Sequence, residues 1–252
     1  EAHAMTPAAY IEMAETEDQH WWYVARRSII GTVLEGLNLP QGARILEVGS
    51  GTSGNLDLLA RFGRVSAIEM DDTARQISAE KTGGRFDIRA GVCPADIPFS
   101  DEKFDLICMF DVLEHIDESS QTLAVLRERL APGGRILVTV PAYQWMWSVH
   151  DEFVHHKRRY TAGKLIGEAA PAGLAAERIT HFNMFLFPLA AAMRLVDTLA
   201  GRKSASGIGT PGPFINGLFR TIFGSEAGLL KHINLPFGLS LMAVLKADKQ
   251  AR

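Results

Sequence analysis

The segment RILEVGSGTSG, Arg44 to Gly54, joins a short apolar run to a turn built on Gly49, Gly51 and Gly54. Ile45, Leu46 and Val48 suit a buried strand, and Leu56, Leu58 and Leu59 beyond the turn suit a helix. Glycines at such a turn let the backbone approach a ligand closely and leave helix N–H groups facing it. Twenty residues after Gly49, Glu69 closes a second apolar run, where a carboxylate can accept both hydroxyls of a ribose. A Gly-x-Gly-x-x-Gly string alone carries little. With strand, helix and acid in place it predicts a site for an adenosine-bearing cofactor. A plain strand-to-helix turn would have no need of Glu69.

Outward from this turn, apolar runs and helical stretches alternate. Strands are predicted at 44–48, 65–69, 86–90, 104–110 and 135–140, and helices at 24–37, 55–62, 71–81 and 119–130. This order predicts an α/β fold: a doubly wound, Rossmann-like, seven-stranded and mostly parallel sheet, with ligands at the strand C-termini. Thr161 is the expected cap of a helix running to about Ala170. Strands at 174–182 and 239–246 are expected to close the sheet as an antiparallel edge, with a helical insert over 183–238 between them. Within it, the glycine-rich 201–213 is the expected mobile segment. One domain is expected over 5–252: an N-terminal helical cover (5–42), a cofactor-binding core (43–141) and a C-terminal part (142–252). Residues 1–4, ahead of Met5, read as a cloning remnant.

Composition narrows the classes. Hydrophobic residues make up 47% and charged residues 22%, as in ordinary globular domains. The net charge of −3 lacks the basic excess of a dedicated nucleic-acid binder, so no nucleic-acid partner is expected. Cys93 and Cys108 form neither a disulfide framework nor a zinc pattern, which fits a reducing, cytoplasmic setting. The most apolar stretch, 182–199, is broken by Pro188, Arg194 and Asp197, short of the ~20 apolar residues a spanning helix needs. Followed by Arg202 and Lys203, it leaves peripheral membrane contact open beside core packing. The sequence fixes no oligomeric state.

Five strings extend the pattern: ILEVGSGTSGNL (45–56), AIEMDD (67–72), CPADIPF (93–99), FDLICMFDVLEHI (104–116) and LAPGGRILVTVP (130–141). In this order and spacing the chain resembles the class I S-adenosylmethionine-dependent methyltransferases. Locally, MFDVLEHI is similar to the ubiquinone-pathway O-methyltransferases. The resemblance implies methyl transfer from S-adenosylmethionine to a small-molecule acceptor, most readily at oxygen, with S-adenosylhomocysteine as product. Carried over by position, it implies that Glu47 orders the methionine amine side and that Gly49, Ser50 and Gly51 line the cofactor. Glu69 would take the ribose and Met70 would pack on the adenine. Asp96 and the Ile97 amide would read the adenine edge, and Phe110 and Asp111 would hold the methionine portion. Arg27, with Arg26 as the competing choice, would neutralise the cofactor carboxylate. The C-terminal part would shape the acceptor site, and the apolar insert hints at a hydrophobic or lipid-linked acceptor.

Other readings compete. Tyr160 and Lys164 satisfy the Tyr-x-x-x-Lys pattern of short-chain NAD(P)-dependent oxidoreductases, but a cap at Thr161 would leave Tyr160 outside the helix that this chemistry requires. A non-catalytic cofactor-binding protein is the other alternative. Asp111-x-x-Glu114-His115 matches a divalent-metal site of some ubiquinone-pathway relatives. Three ligands on one turn are few for a hard cation, so no metal is expected and a loop-organising role is preferred. His115 is nonetheless a candidate proton acceptor. Trp22, in an aromatic cluster ahead of the first helix, is a candidate pocket wall, with helix-start packing as the plain alternative.

The stretch HDEFVHHKRRYT, His150 to Thr161, follows the fifth strand and so lies over the ligand edge. His155 and His156 point apart if extended, which disfavours a shared metal ion. His150 and His155 are candidate catalytic residues, and Tyr143, Trp147, Arg159 and Tyr160 candidate acceptor contacts. The plain alternative is a salt-bridged staple in which Asp151 and Glu152 pair the basic run.

Overall fold

A computed structural model describes residues 6–199 and 211–248. The remnant at 1–4 and the expected mobile segment up to residue 210 lie outside the described residues. The elements run α1 (Pro7–Thr16), α2 (Trp21–Gly36), β1 (Arg44–Val48), α3 (Leu56–Ala60), β2 (Arg64–Ile68), α4 (Asp72–Thr82), β3 (Asp87–Arg89) and β4 (Phe104–Phe110). There follow α5 (Ser119–Glu128), β5 (Leu130–Pro141), α6 (Val149–Phe153), α7 (Ala162–Ala169), β6 (Leu174–Phe182), α8 (Phe187–Leu199), α9 (Pro213–Gly224), α10 (Glu226–Leu230) and β7 (Ser240–Ala247). Short 3₁₀ turns occupy Leu113–His115 and Gln144–Met146.

The seven strands form one sheet in the order β3-β2-β1-β4-β5-β7-β6. Strands β1 to β5 pair in parallel, while β7 runs antiparallel to both β5 and β6. The reversed strand therefore sits one place in from the edge. Hydrophobic residues cover both faces, as a parallel sheet requires. Ile107 and Met109 of β4 pack with Leu123 and Leu126 of α5 and Leu165 of α7. Leu106 and Cys108, pointing the other way, pack with Ile29, Ile30 and Leu34 of α2 and Phe223 of α9.

Helix α2 begins three residues before the predicted start, because His20 caps it by accepting the Trp22 N–H on its ring nitrogen at 3.2 Å. Trp21, Trp22 and Tyr23 thus form the first turn of the helix rather than preceding it. Helix α1, capped by Thr6 with Pro7 in its first turn, had no strong periodic signal. The strand order reverses between β1 and β4, which opens the ligand crevice of an open α/β sheet at their C-terminal ends.

Candidate active site

The glycine turn leaves β1 as predicted. Gly49 (φ +72°) donates to the Ile68 carbonyl at 2.8 Å, and a Cβ there would come within 2.6 Å of Val112. Gly51 (φ +52°) faces open space: an added Cβ would meet only Met13 Sδ, at 3.7 Å. The Gly51 N–H donates to Glu69 Oε2 at 2.8 Å and the Asp71 N–H to Oε1 at 2.9 Å. Burial raises the Glu69 pKa against these two backbone donors, so the acid is tied to the turn it follows.

Glu47 is buried at the end of β1. Its Oε1 accepts from Asn55 Nδ2 at 2.9 Å, whereas Oε2 has no hydrogen-bond partner. Burial pushes its pKa up to about 8. Ser50 Oγ, buried three residues on in the glycine turn, is likewise unpartnered. A buried carboxyl with one free oxygen is a fitting counterpart for an ammonium group.

Arg26, and not Arg27, reaches the strand ends. Its guanidinium pairs with Asp111 and donates to Thr139 Oγ1 at 3.1 Å, lying between the rings of Trp22 and Phe110 at 4.9 and 5.5 Å. Arg27 turns away, donating to the Glu17 carbonyl at 2.6 Å. Of the two arginines expected to compete for the cofactor carboxylate, Arg27 thus points toward α1 and Arg26 toward the strand ends. A sequence signal existed, since Arg26 precedes the buried Ile29 and Ile30 by three and four residues, on the stripe facing the core. Asp111 itself takes a left-handed conformation, φ +57°, at the end of β4. Glu17 was missed. It is buried where α1 meets the turn, accepting from Thr52 Oγ1 at 2.9 Å and Lys81 Nζ at 2.6 Å.

Further along the edge, Met70 is exposed and Asp96 is exposed, its backbone exchanging both hydrogen bonds with Val92 at 2.7 Å; Ile97 is half-buried against the core. These loops frame the side of the crevice away from Arg26.

The 3₁₀ turn after β4 carries Glu114, 0% exposed, with neither carboxyl oxygen hydrogen-bonded. Burial drives its pKa well up. The His115 ring stands 4.8 Å from that of His156, and burial, with the neighbouring His156, lowers its pKa to about 4. His156 Nε2 is 3.7 Å from Glu114 Oε1 and its Nδ1 is 2.8 Å from Asp151 Oδ1. Glu114, His115 and His156 each bring one potential ligand atom within 4.8 Å of the others, the group among the described residues that could hold a metal ion. Asp111 is not of this group; Arg26 holds it.

Asp151 organises HDEFVHHKRRYT. Fully buried, it accepts from the Ser148 N–H and hydroxyl at 2.8 and 2.9 Å and from Arg159 Nε and Nη2 at 2.7 and 2.9 Å, besides His156. Burial alone would raise its pKa, but His156 and Arg159 outweigh it and hold the carboxyl below the usual range. Of the expected staple, the Asp151–Arg159 pair is present, whereas Lys157 and Arg158 pair with Asp117 instead; two candidate acceptor contacts are engaged within the protein. Arg159 spends its guanidinium on Asp151 and the Ala142 carbonyl. Tyr160 is fully buried in the core, its hydroxyl donating to Glu168 at 2.9 Å, because the chain re-enters the sheet layer here through bonds with Pro141 and Tyr143. His150 and His155 are exposed, the His150 ring 6.4 Å from His156. Tyr143 (φ +60°) bonds His181 Nε2 at 3.1 Å beside Trp145 and Phe187, and Trp147 is half-buried one turn on.

Residues 17–189 match a family model described as "Methyltransferase domain". A demethylmenaquinone methyltransferase of Tropheryma whipplei is 28% identical over 123 residues, 48% of each chain. A ubiquinone biosynthesis O-methyltransferase of Cereibacter sphaeroides is 31% identical over 99 residues, 37% of this chain and 39% of the other. The chain thus spans less than half the length of these relatives. Among solved structures, an S-adenosylmethionine-dependent methyltransferase from Clostridium acetobutylicum superposes with a TM-score of 0.57 at 12% identity, covering 88% of this chain and 90% of that one. The [4+2]-cyclase SpnF gives 0.56 at 18% identity over 88% and 81%. These two likenesses concern the fold alone.

Proposed function

The chain belongs to the family of methyltransferase domains, and on that premise we propose that it transfers a methyl group from S-adenosylmethionine to an oxygen of a small, apolar acceptor. The observation that carries the reading is the β1 turn, where an open glycine backbone, a tethered acid at Glu69 and a buried unpartnered oxygen on Glu47 converge. Glu69 suits ribose hydroxyls, Glu47 the methionine ammonium, and Arg26 the carboxylate, in place of Arg27. Trp22 closes the crevice from α2. When bound, S-adenosylmethionine supplies an electrophilic sulfonium methyl, so the protein has to align a nucleophile and exclude water.

The chain's own part would be to hold the acceptor hydroxyl in line with that methyl and to take up the hydroxyl proton. His115 is the group assigned to take it. Its lowered pKa keeps the ring neutral at physiological pH, with His156 beside it held by Asp151. Tyr143 and Trp147 are assigned to the acceptor wall, and the exposed His150 and His155 to its rim. The relatives named as a demethylmenaquinone methyltransferase and a ubiquinone biosynthesis O-methyltransferase support a small-molecule acceptor.

Titration of the full chain with S-adenosylmethionine and, separately, with NADH and NADPH tests the assignment. Heat of binding for S-adenosylmethionine alone is expected. Binding of a nicotinamide cofactor instead would move the chain to the oxidoreductases. Labelled methyl transfer into an extract of apolar metabolites tests the acceptor class, and a His115→Ala variant with unchanged turnover would remove His115 from the mechanism.

A further inference from the structure

Helices α8 and α9 present apolar side chains that nothing among the described residues covers. On α8, Leu189, Met193, Val196 and Leu199 are all strongly exposed, Leu199 at 78%. At 100° per residue they fall within one arc of about 120°. On α9, Phe214 is 81% exposed and Leu218 lies one turn on, while the opposite face is fixed: Asn216 accepts from the Trp21 N–H at 2.8 Å and Phe223 packs in the core. An isolated exposed leucine needs no explanation, but six such side chains on two consecutive helices mark a contact surface.

Charge identifies what would cover it. Residues 183–238 carry five Lys and Arg against two Asp and Glu, although the rest of the chain carries 21 against 27. Helix α9 has no acidic residue, and Arg220 is exposed on it. Among the described residues, no helix is long and apolar enough to cross a membrane. Apolar side chains with a locally basic balance, in helices too short to span, suit a negatively charged lipid surface. The patch also continues into the candidate site: Phe187 at the start of α8 lies 5.7 Å from the Tyr143 ring and 6.0 Å from that of the exposed Trp145.

We propose that the outer faces of α8 and α9 dock the protein on the interface of an anionic lipid bilayer, beside the mouth of the candidate site. Joined to the methyl-transfer reading, on which this part rests, it makes the acceptor a lipid-phase molecule that enters past Phe187.

The test is flotation of the full chain with vesicles of phosphatidylcholine alone and with about one-third phosphatidylglycerol. Binding is expected only to the anionic vesicles, weakening severalfold between about 0.05 and 0.3 M NaCl. A Val196→Glu/Leu199→Glu variant, shown to be folded by an unchanged melting temperature, should bind at least about tenfold more weakly. Absence of flotation with either vesicle, or a variant that floats like the parent, would overturn the proposal. So would a lipid-free parent that sediments as a dimer and a variant that sediments as a monomer, since a second copy would then cover the patch. Titration with S-adenosylmethionine is read separately: docking that fails while this binding persists refutes only the lipid surface, and the reverse refutes only the methyl-transfer reading.

Discussion

Replacing Asp151 with Asn isolates the most concentrated polar structure in the C-terminal part. Its Oδ1 accepts from His156 Nδ1 and Arg159 Nε, and its Oδ2 from Arg159 Nη2 and both donors of Ser148. Whichever oxygen becomes an amide NH2, at least two donors then face a donor. The Arg159 charge, mostly buried, also loses its counterion. Breaking a buried pair from one side costs about 3–5 kcal/mol, or roughly 6–20 °C in melting temperature for a chain of this size. The pH dependence has a fixed sign. The folded pKa of Asp151 lies below the unfolded value of about 3.9, so its stabilisation is complete above that value and is lost as pH falls through the folded one. Parent and variant should therefore differ fully at pH 7 and converge on acidification. S-adenosylmethionine affinity, set at the glycine turn to which no hydrogen-bond partner of Asp151 belongs, should stay within about twofold. Thermal melts across pH 3–8 check this. A loss below about 2 °C that does not change with pH would refute the reasoning, for Asp151 would then behave as a solvated surface acid.

Other substitutions separate the binding roles. Arg26→Gln should weaken S-adenosylmethionine binding by about 10- to 100-fold, the worth of a charge-assisted hydrogen bond, while Arg27→Gln should change it less than about threefold; calorimetric titration of both reads the difference. Glu47→Gln should make the ligand-free protein more stable at pH 8 yet bind the cofactor more weakly, as melts and titrations would show. Methyl transfer should survive dialysis against a chelator; activity lost with the chelator and restored by one divalent cation would instead place a metal at Glu114, His115 and His156.

The sheet was legible because its central strands are apolar runs bounded by turn residues. The predicted 44–48, 104–110 and 174–182 agree with β1, β4 and β6 to the residue. At the edge the signal faded: β3 keeps only Asp87–Arg89, whose outward residues are exposed and lack apolar alternation. The glycine turn and Glu69 were readable for the same local reason. What escaped was non-local. Helical phase separates Arg26 from Arg27 by 100°, and aligning that phase needed the register of α2 against the sheet. His156 joins Glu114 across more than forty residues, a partnership no local spacing encodes. Tyr160 looked like an acceptor contact because it ends a basic run, but Tyr143 and Pro141 pull its backbone into the sheet layer and its ring follows.

Glu47 gives the candidate site a proton-linkage signature that a structural acid would lack. With a pKa near 8 it is mostly protonated at pH 6.5, and burial is the main cause. In the unfolded chain its pKa is about 4.3. Its folded value is raised, so its contribution to stability is full below about pH 4.3 and declines as pH rises toward 8. That strain is relieved when an ammonium arrives beside the unpartnered Oε2, because the carboxylate then has a counterion. At pH 6.5 an α-amino group, with a pKa of about 7.7–8.0, is already charged, so pairing must expel a proton from Glu47. Affinity should therefore rise with pH by up to about tenfold per unit between pH 6 and 7. It should flatten near pH 8, where carboxyl and amine titrate together and the two effects cancel. Calorimetry in buffers of differing ionisation enthalpy measures the released proton directly. Release approaching one at pH 6.5 that vanishes in Glu47→Gln is the expected result. Release unchanged in the variant would show that the ammonium is held elsewhere, and the pairing assigned to Glu47 would fall.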